Sequence, residues 1–135
     1  MKELTIAATV ESIETVTAFV DEQLEILDCP MKAQMQIDIA IDELFSNIAH
    51  YAYHPEIGEA TVRVEVVEDP LAVIITFIDN GVAYDPLKQA DPDITLSAEE
   101  REVGGLGIYM VKKSMDEISY EYVNGQNILK IKKHI

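Results

Sequence analysis

Glu43 and Asn47 stand four residues apart in a stretch of helical periodicity, so they share one face. A carboxylate there can accept a proton from a hydroxyl or a water. An amide oxygen one turn away is a fitting ligand for a hard cation such as Mg²⁺. The plain alternative is a solvated Glu–Asn pair, because the spacing is common. Asp79 closes an apolar run, Leu71 to Ile78, and precedes Asn80-Gly81. Asn-Gly is a strong turn former, yet no strand follows at once, so a simple hairpin does not account for it. An acid at the end of a buried strand can accept a hydrogen bond from an adenine amino group, and Gly81 lets a base approach the backbone. The alternative is a turn and nothing more. Gly104-Gly105-Leu106-Gly107 then opens a helix that continues through Ile108. Small residues and the free N–H groups of a helix start suit phosphates, against a flexible hinge as the other reading. No Gly-Lys-Ser/Thr follows, and no parallel βαβ unit surrounds the glycines. In this order the three segments are the parts of a nucleotide site and point to ATP binding with phosphoryl transfer.

The elements that must position these groups follow from periodicity. Leu4 to Thr9 reads as a strand. Ser12 is the expected N-cap of a helix to about Leu27, with Ile13, Val16, Val20, Leu24 and Leu27 on its apolar stripe. Cys29-Pro30 breaks it. A second helix is expected from Met31 to about Ala52, with Ile37, Ile41, Leu44 and Ile48 toward the core, flanked by Ala40 and Phe45. Thr61 to Glu68 alternates as a strand with Val62, Val64 and Val66 on one face, and Leu71 to Ile78 suits a central strand hairpinned to it. From Gly81 to Val103 the pattern is lost, as in a functional lid, with a helical turn expected over Ser97 to Arg101. Leu106 to Met115 is a helix, and Ile118 to Val123 and Ile128 to Ile131 are two strands around Asn124-Gly125. The expected architecture is an α+β two-layer sandwich, a mostly antiparallel sheet with helices on one face.

Bulk properties narrow the classes. The 135 residues fit one domain over 1–135, and 48% hydrophobic content supports a core. Asp and Glu number 25 against 10 Lys and Arg, a formal charge of -15. Such a surface repels a nucleic-acid backbone, so no direct nucleic-acid contact is expected; it serves solubility or a basic protein partner. Cys29 is the sole cysteine, which excludes an intrachain disulfide. His50, His54 and His134 make no metal-ligand spacing. No signal-peptide pattern or membrane-spanning run is present, so a cytoplasmic location away from membranes is expected.

The order Glu-x-x-x-Asn, Asp-x-Gly, Gly-x-Gly resembles the ATP-binding superfamily of gyrase, the heat-shock chaperone, histidine kinases and mismatch-repair ATPases. Within it the chain looks like the small bacterial anti-sigma factor serine/threonine kinases, over nearly its whole length. Asp42 to Tyr53 resembles their motif helix, and Gly105 to Val111 followed by Met115-Asp116-Glu117 is also similar. The resemblance implies Glu43 as the general base, Asn47 as the Mg²⁺ ligand, Asp79 on the adenine amino group and Gly81 shaping the base pocket. It implies Gly104, Gly105, Leu106, Gly107 and Ile108 at the phosphates, and a lid over Asp85 to Val103. The implied partners are a sigma factor, an anti-sigma antagonist protein phosphorylated on serine, and a second copy of the chain paired through the sheet. Two positions depart from the pattern. Tyr51 stands where many relatives carry a histidine four residues after the Mg²⁺-binding Asn, and Asn124-Gly125-Gln126-Asn127 replaces a common Gly-Thr pair near adenine. These departures leave a non-catalytic regulatory binding module as the alternative function. A histidine-kinase catalytic domain fits less well, because no histidine precedes the Glu43 helix.

Overall fold

The computed structural model describes residues 1–88 and 106–135. Five strands, β1 (Lys2–Ala7), β2 (Glu59–Val67), β3 (Ala72–Asp79), β4 (Glu117–Val123) and β5 (Gln126–His134), form one sheet in the order β1-β2-β3-β5-β4. Every pairing is antiparallel. Helices α1 (Ile13–Ile26), α2 (Met31–Asn47) and α3 (Leu106–Ser114) cover one face, as the α+β sandwich expectation required.

Alternation along the strands builds the core. Val62 and Val64 of β2, Ile75 and Phe77 of β3, and Leu129 and Ile131 of β5 point to the helices, with Val62 opposite Phe77 and Phe77 opposite Leu129. From the other side come Val16, Val20 and Leu24 of α1, Ile37, Ile41, Leu44 and Phe45 of α2, and Ile108 and Val111 of α3. Val66, expected on the same face, is 45% exposed: it lies near the far end of β2, beyond the helices' cover.

The element ends show local chemistry. β1 ends two residues earlier than expected, because the chain turns at Thr9 into a single 3-10 turn, Val10–Ser12. Ser12 precedes α1 as foreseen but its side chain caps no backbone N–H; its Oγ lies 3.0 Å from Thr9 Oγ1 instead. The end of α1 is a Schellman motif built on an aspartate. Asp28 adopts φ 53°, Asp28 N–H donates to Glu25 O and Cys29 N–H to Leu24 O, both at 3.1 Å. At the late hairpin Asn124 and Gly125 take φ 53° and 76°, the two left-handed residues of a type I′ turn. β5 runs past Ile131 to His134 because the facing β3 offers paired backbone as far as Ala72.

The second helix reaches Ala52 as its pattern indicates, but Ile48–Ala52 is wound as a π turn. The Ala52 carbonyl, left without an intrahelical partner at the helix end, accepts from Val82 N–H at 2.9 Å. The end of the motif helix is thereby pinned to the chain leaving β3. π turns inside helices occur disproportionately at functional sites.

Candidate functional site

A cleft opens between α2 with its π turn, the end of β3, the chain from Val82 to Pro86 and the β4–β5 hairpin. Its cavity volume is about 40 Å³, against the ~10–15 Å³ that one water needs on the same measure. The walls are mainly apolar and aromatic, from Leu44, Ile48, Phe77, Leu129, Tyr51 and Tyr84. Asn47, Asp79 and Asn127 supply the amides and the carboxylate. An apolar slot with a few placed polar groups is the usual form of a small-molecule site.

Asp79 is 4% exposed. It faces the helices because it continues the inward series Val73, Ile75, Phe77 along β3. Its Oδ1 accepts from Gly81 N–H at 2.9 Å and from Asn127 Nδ2 at 2.9 Å. Burial pushes the carboxyl above its usual range, while the bonds from Asn127 and Gly81 pull it back. Gly81 packs against Ala52 at the end of the π turn. A Cβ there would stand 2.2 Å from the Ala52 carbonyl oxygen, so glycine is required by close approach. Tyr53 ties down the next residue: its hydroxyl accepts from Asn80 N–H at 2.8 Å and donates to Glu59 O at 2.6 Å.

Glu43 and Asn47 share a face of α2, half-buried. Asn47 reaches the cleft, whereas the Glu43 carboxyl lies beside it, against Gly107 at the start of α3. Burial pushes the Glu43 carboxyl upward, Asp42 adds to this, and a hydrogen bond with Asn47 opposes it. An amide meeting a carboxylate donates through nitrogen, which leaves the Asn47 oxygen for a cation. Among the described residues no cluster of three or more His, Cys, Asp or Glu could hold a metal by itself. One amide oxygen beside one carboxylate fits Mg²⁺, which takes few protein ligands and completes its shell with water and phosphate oxygens.

The structure thus brings Asn47 and Asp79 into one cleft, with Gly81 against Ala52 and Glu43 against Gly107. Ile108 turns its side chain into the core, 3% exposed. Gly104, Gly105, the lid from residue 89 onward and the helical turn expected at Ser97 to Arg101 lie outside the described residues. Asn127 was legible only as a departure from a pattern. Its place beside Asp79 emerges from the β3–β5 register, in which the two are direct partners. Tyr120, whose hydroxyl donates to Asn127 Oδ1, and Tyr84, whose N–H donates to the same atom at 3.1 Å, gave no signal beyond being aromatic.

Comparison with known proteins agrees with this geometry. The family model for the histidine kinase-like ATPase domain matches residues 6–133. A serine-protein kinase RsbW of Bacillus cereus (strain ATCC 10987 / NRS 248) is 34% identical over 98 residues, 70% of this chain and 60% of that protein. The proteins of the same name from Bacillus thuringiensis subsp. konkukian and Bacillus mycoides are each 33% identical over the same shares. The chain therefore spans about 60% of the length of these curated relatives. With a family match across nearly its entire length, the chain belongs to the histidine kinase-like ATPase domain family.

Proposed function

We propose that this chain is an anti-sigma factor with ATP-dependent protein serine kinase activity. It binds a sigma factor and phosphorylates a serine of a small antagonist protein, in the cytoplasm. The observation that carries the nucleotide part is Asp79, a buried carboxylate at the floor of an apolar cleft with Oδ1 held by two donors. A relative named as a serine-protein kinase supports the choice of acceptor.

In this reading Asp79 accepts from the adenine amino group, and Phe77, Ile48 and Leu129 exclude water from the base. Gly81 keeps the floor low. The glycines from Gly104 to Gly107, with Leu106 and Ile108, offer the helix start to the phosphates. Asn47 would hold Mg²⁺ through its amide oxygen, and the ion when bound would supply positive charge for the transferred phosphoryl group. Glu43, made more basic by burial, accepts the serine hydroxyl proton. The serine oxygen bonds to the γ-phosphorus as the bond from that phosphorus to the β–γ bridging oxygen breaks, leaving ADP. A homodimer through the sheet belongs to the same reading.

Glu43→Ala tests it. Transfer from ATP to a copurified antagonist falls by at least ~100-fold, while calorimetric ATP affinity changes little. Transfer at the original rate removes Glu43 as the base. The second reading, a non-catalytic regulatory module, draws on Tyr51. Its ring is 5.3 Å from that of Tyr84 and tilted by 33°, an aromatic pair at the cleft. Absence of ATP binding at millimolar nucleotide with Mg²⁺ selects that reading.

A further inference from the structure

Asn127 is 5% exposed and joins three segments. Its Nδ2 donates to Asp79 Oδ1 at 2.9 Å and to the Val82 carbonyl at 2.8 Å, with the Gly81 carbonyl at 3.5 Å as a weak third contact. Its Oδ1 accepts from Tyr84 N–H at 3.1 Å and from the Tyr120 hydroxyl. The partners settle which end of the amide is which. A carbonyl oxygen accepts only, and a backbone N–H donates only. A side-chain amide offers two N–H groups and two lone pairs, and Asn127 has spent all four inside the protein. A base entering the cleft gains no hydrogen bond from it without breaking one.

Asp79 differs. Among the described residues both of its hydrogen bonds fall on Oδ1, and the residue lines the cleft. With Oδ1 locked, Oδ2 is the acceptor left for a ligand.

We propose that Asn127 is a positioning residue for base recognition: it locks Asp79 Oδ1 and the backbone at Val82 and Tyr84, so that Oδ2 alone faces the purine, and does not touch the base. This inference rests on the nucleotide reading of the cleft. A fixed carboxylate oxygen accepts from an exocyclic amino group at purine C6 and repels an oxo group at the same place, so the clamp sets selectivity for aminopurines over oxopurines. A buried polar group left unpaired by the wrong ligand is the strongest source of such discrimination. Losing the clamp lets the carboxyl rotate and pair differently, which erodes selectivity more than affinity.

The test is the ratio of dissociation constants for inosine triphosphate and ATP, by calorimetry with Mg²⁺, in the wild type, Asn127→Ala and Tyr120→Phe. Tyr120→Phe keeps the ring and removes only one donor to Asn127 Oδ1, so it reports even where Asn127→Ala does not fold. The wild type prefers ATP. The ratio falls roughly tenfold in Asn127→Ala, the size of a hydrogen bond to a charged group, and about two- to threefold in Tyr120→Phe. A ratio unchanged in Tyr120→Phe overturns the positioning role, whether affinities fall together or only Asn127→Ala loses selectivity through a lost direct contact. A wild type that binds no ATP overturns the nucleotide reading itself.

Discussion

A Cβ placed on Gly107 would stand 2.2 Å from Glu43 Oε2 and 2.3 Å from its Cδ. The Glu43 carboxyl thus occupies the space that any other residue at 107 would fill. Two segments separated by nearly half of the chain meet there, α2 carrying the acid and α3 supplying the missing side chain.

Gly107→Ala must therefore move the carboxyl, which sits at the tip of a flexible side chain and can swing toward water. Two effects follow in opposite directions. The Glu43 carboxyl loses part of the burial that raises its pKa, so its titration midpoint, followed by carboxyl carbon NMR, shifts down toward the ordinary range. Helix α3 exchanges glycine for alanine, a gain of up to ~1 kcal/mol, so the thermal midpoint holds or rises. A midpoint lower by several degrees would mean that Glu43 cannot leave its place.

Gly81→Ala has no such escape. The added methyl meets backbone, the Ala52 carbonyl oxygen at 2.2 Å and carbon at 2.5 Å. Either the Val82 N–H to Ala52 O bond breaks or the π turn shifts. The expected cost is about 1–3 kcal/mol by urea denaturation, with weakened ATP binding because the cleft floor rises. Unchanged stability would show that the π turn yields freely.

What the sequence made legible, and what it did not, divides along the range of the interaction. Helical and strand periods placed α1, β2 and β3 within about two residues, and α2 to Ala52 once its π turn is included, because each buries a stripe defined by its own spacing. Asn124-Gly125 marked its turn, because left-handed conformations select those residues. The π turn at Ile48–Ala52 left no trace in the pattern, since it answers to a partner, Val82, thirty residues on. The Asp79–Asn127 bond was equally hidden. It exists only when β5 pairs with β3 in the register that sets Ile131 against Ile75. Glu43 and Asn47 were visible as a pair, but that one enters the cleft while the other leans on Gly107 depends on how α3 docks.

Between α1 and α2 lies a carboxylate pair, Asp21 and Asp38, that no motif announced. Among the described residues no donor reaches Asp21 Oδ1 or Asp38 Oδ1, and both atoms are buried. Burial, a hydrogen bond with Asp21 and the Asp21 charge push the Asp38 carboxyl up to about 7. A single shared proton relieves both oxygens. The folded pKa lies above the unfolded value of roughly 3.9, so the folded state holds a proton that the unfolded chain releases. That contribution is full below about pH 4 and is lost as pH rises through about 7. Asp38→Asn removes the dependence. Its stability relative to wild type should improve by about 1 kcal/mol between pH 4.5 and pH 7.5, after allowance for solvent screening. Urea denaturation of both proteins across that window checks it, and parallel curves would exclude the shared proton.

Thr76 offers a stabilising substitution away from the cleft. It is 2% exposed on β3, on the face opposite Phe77 and Asp79, and its Oγ1 is buried with no hydrogen-bond partner among the described residues. An orphaned buried hydroxyl carries its desolvation cost with no return. Valine keeps the branched shape that a strand favours and removes the polar atom. Thr76→Val should therefore raise stability by about 1 kcal/mol, or roughly 3–5 °C in Tm, and leave ATP affinity unchanged because the cleft lies on the other side of the sheet. A drop in Tm would reveal that the hydroxyl is satisfied in solution, by water or by a second chain laid against that face.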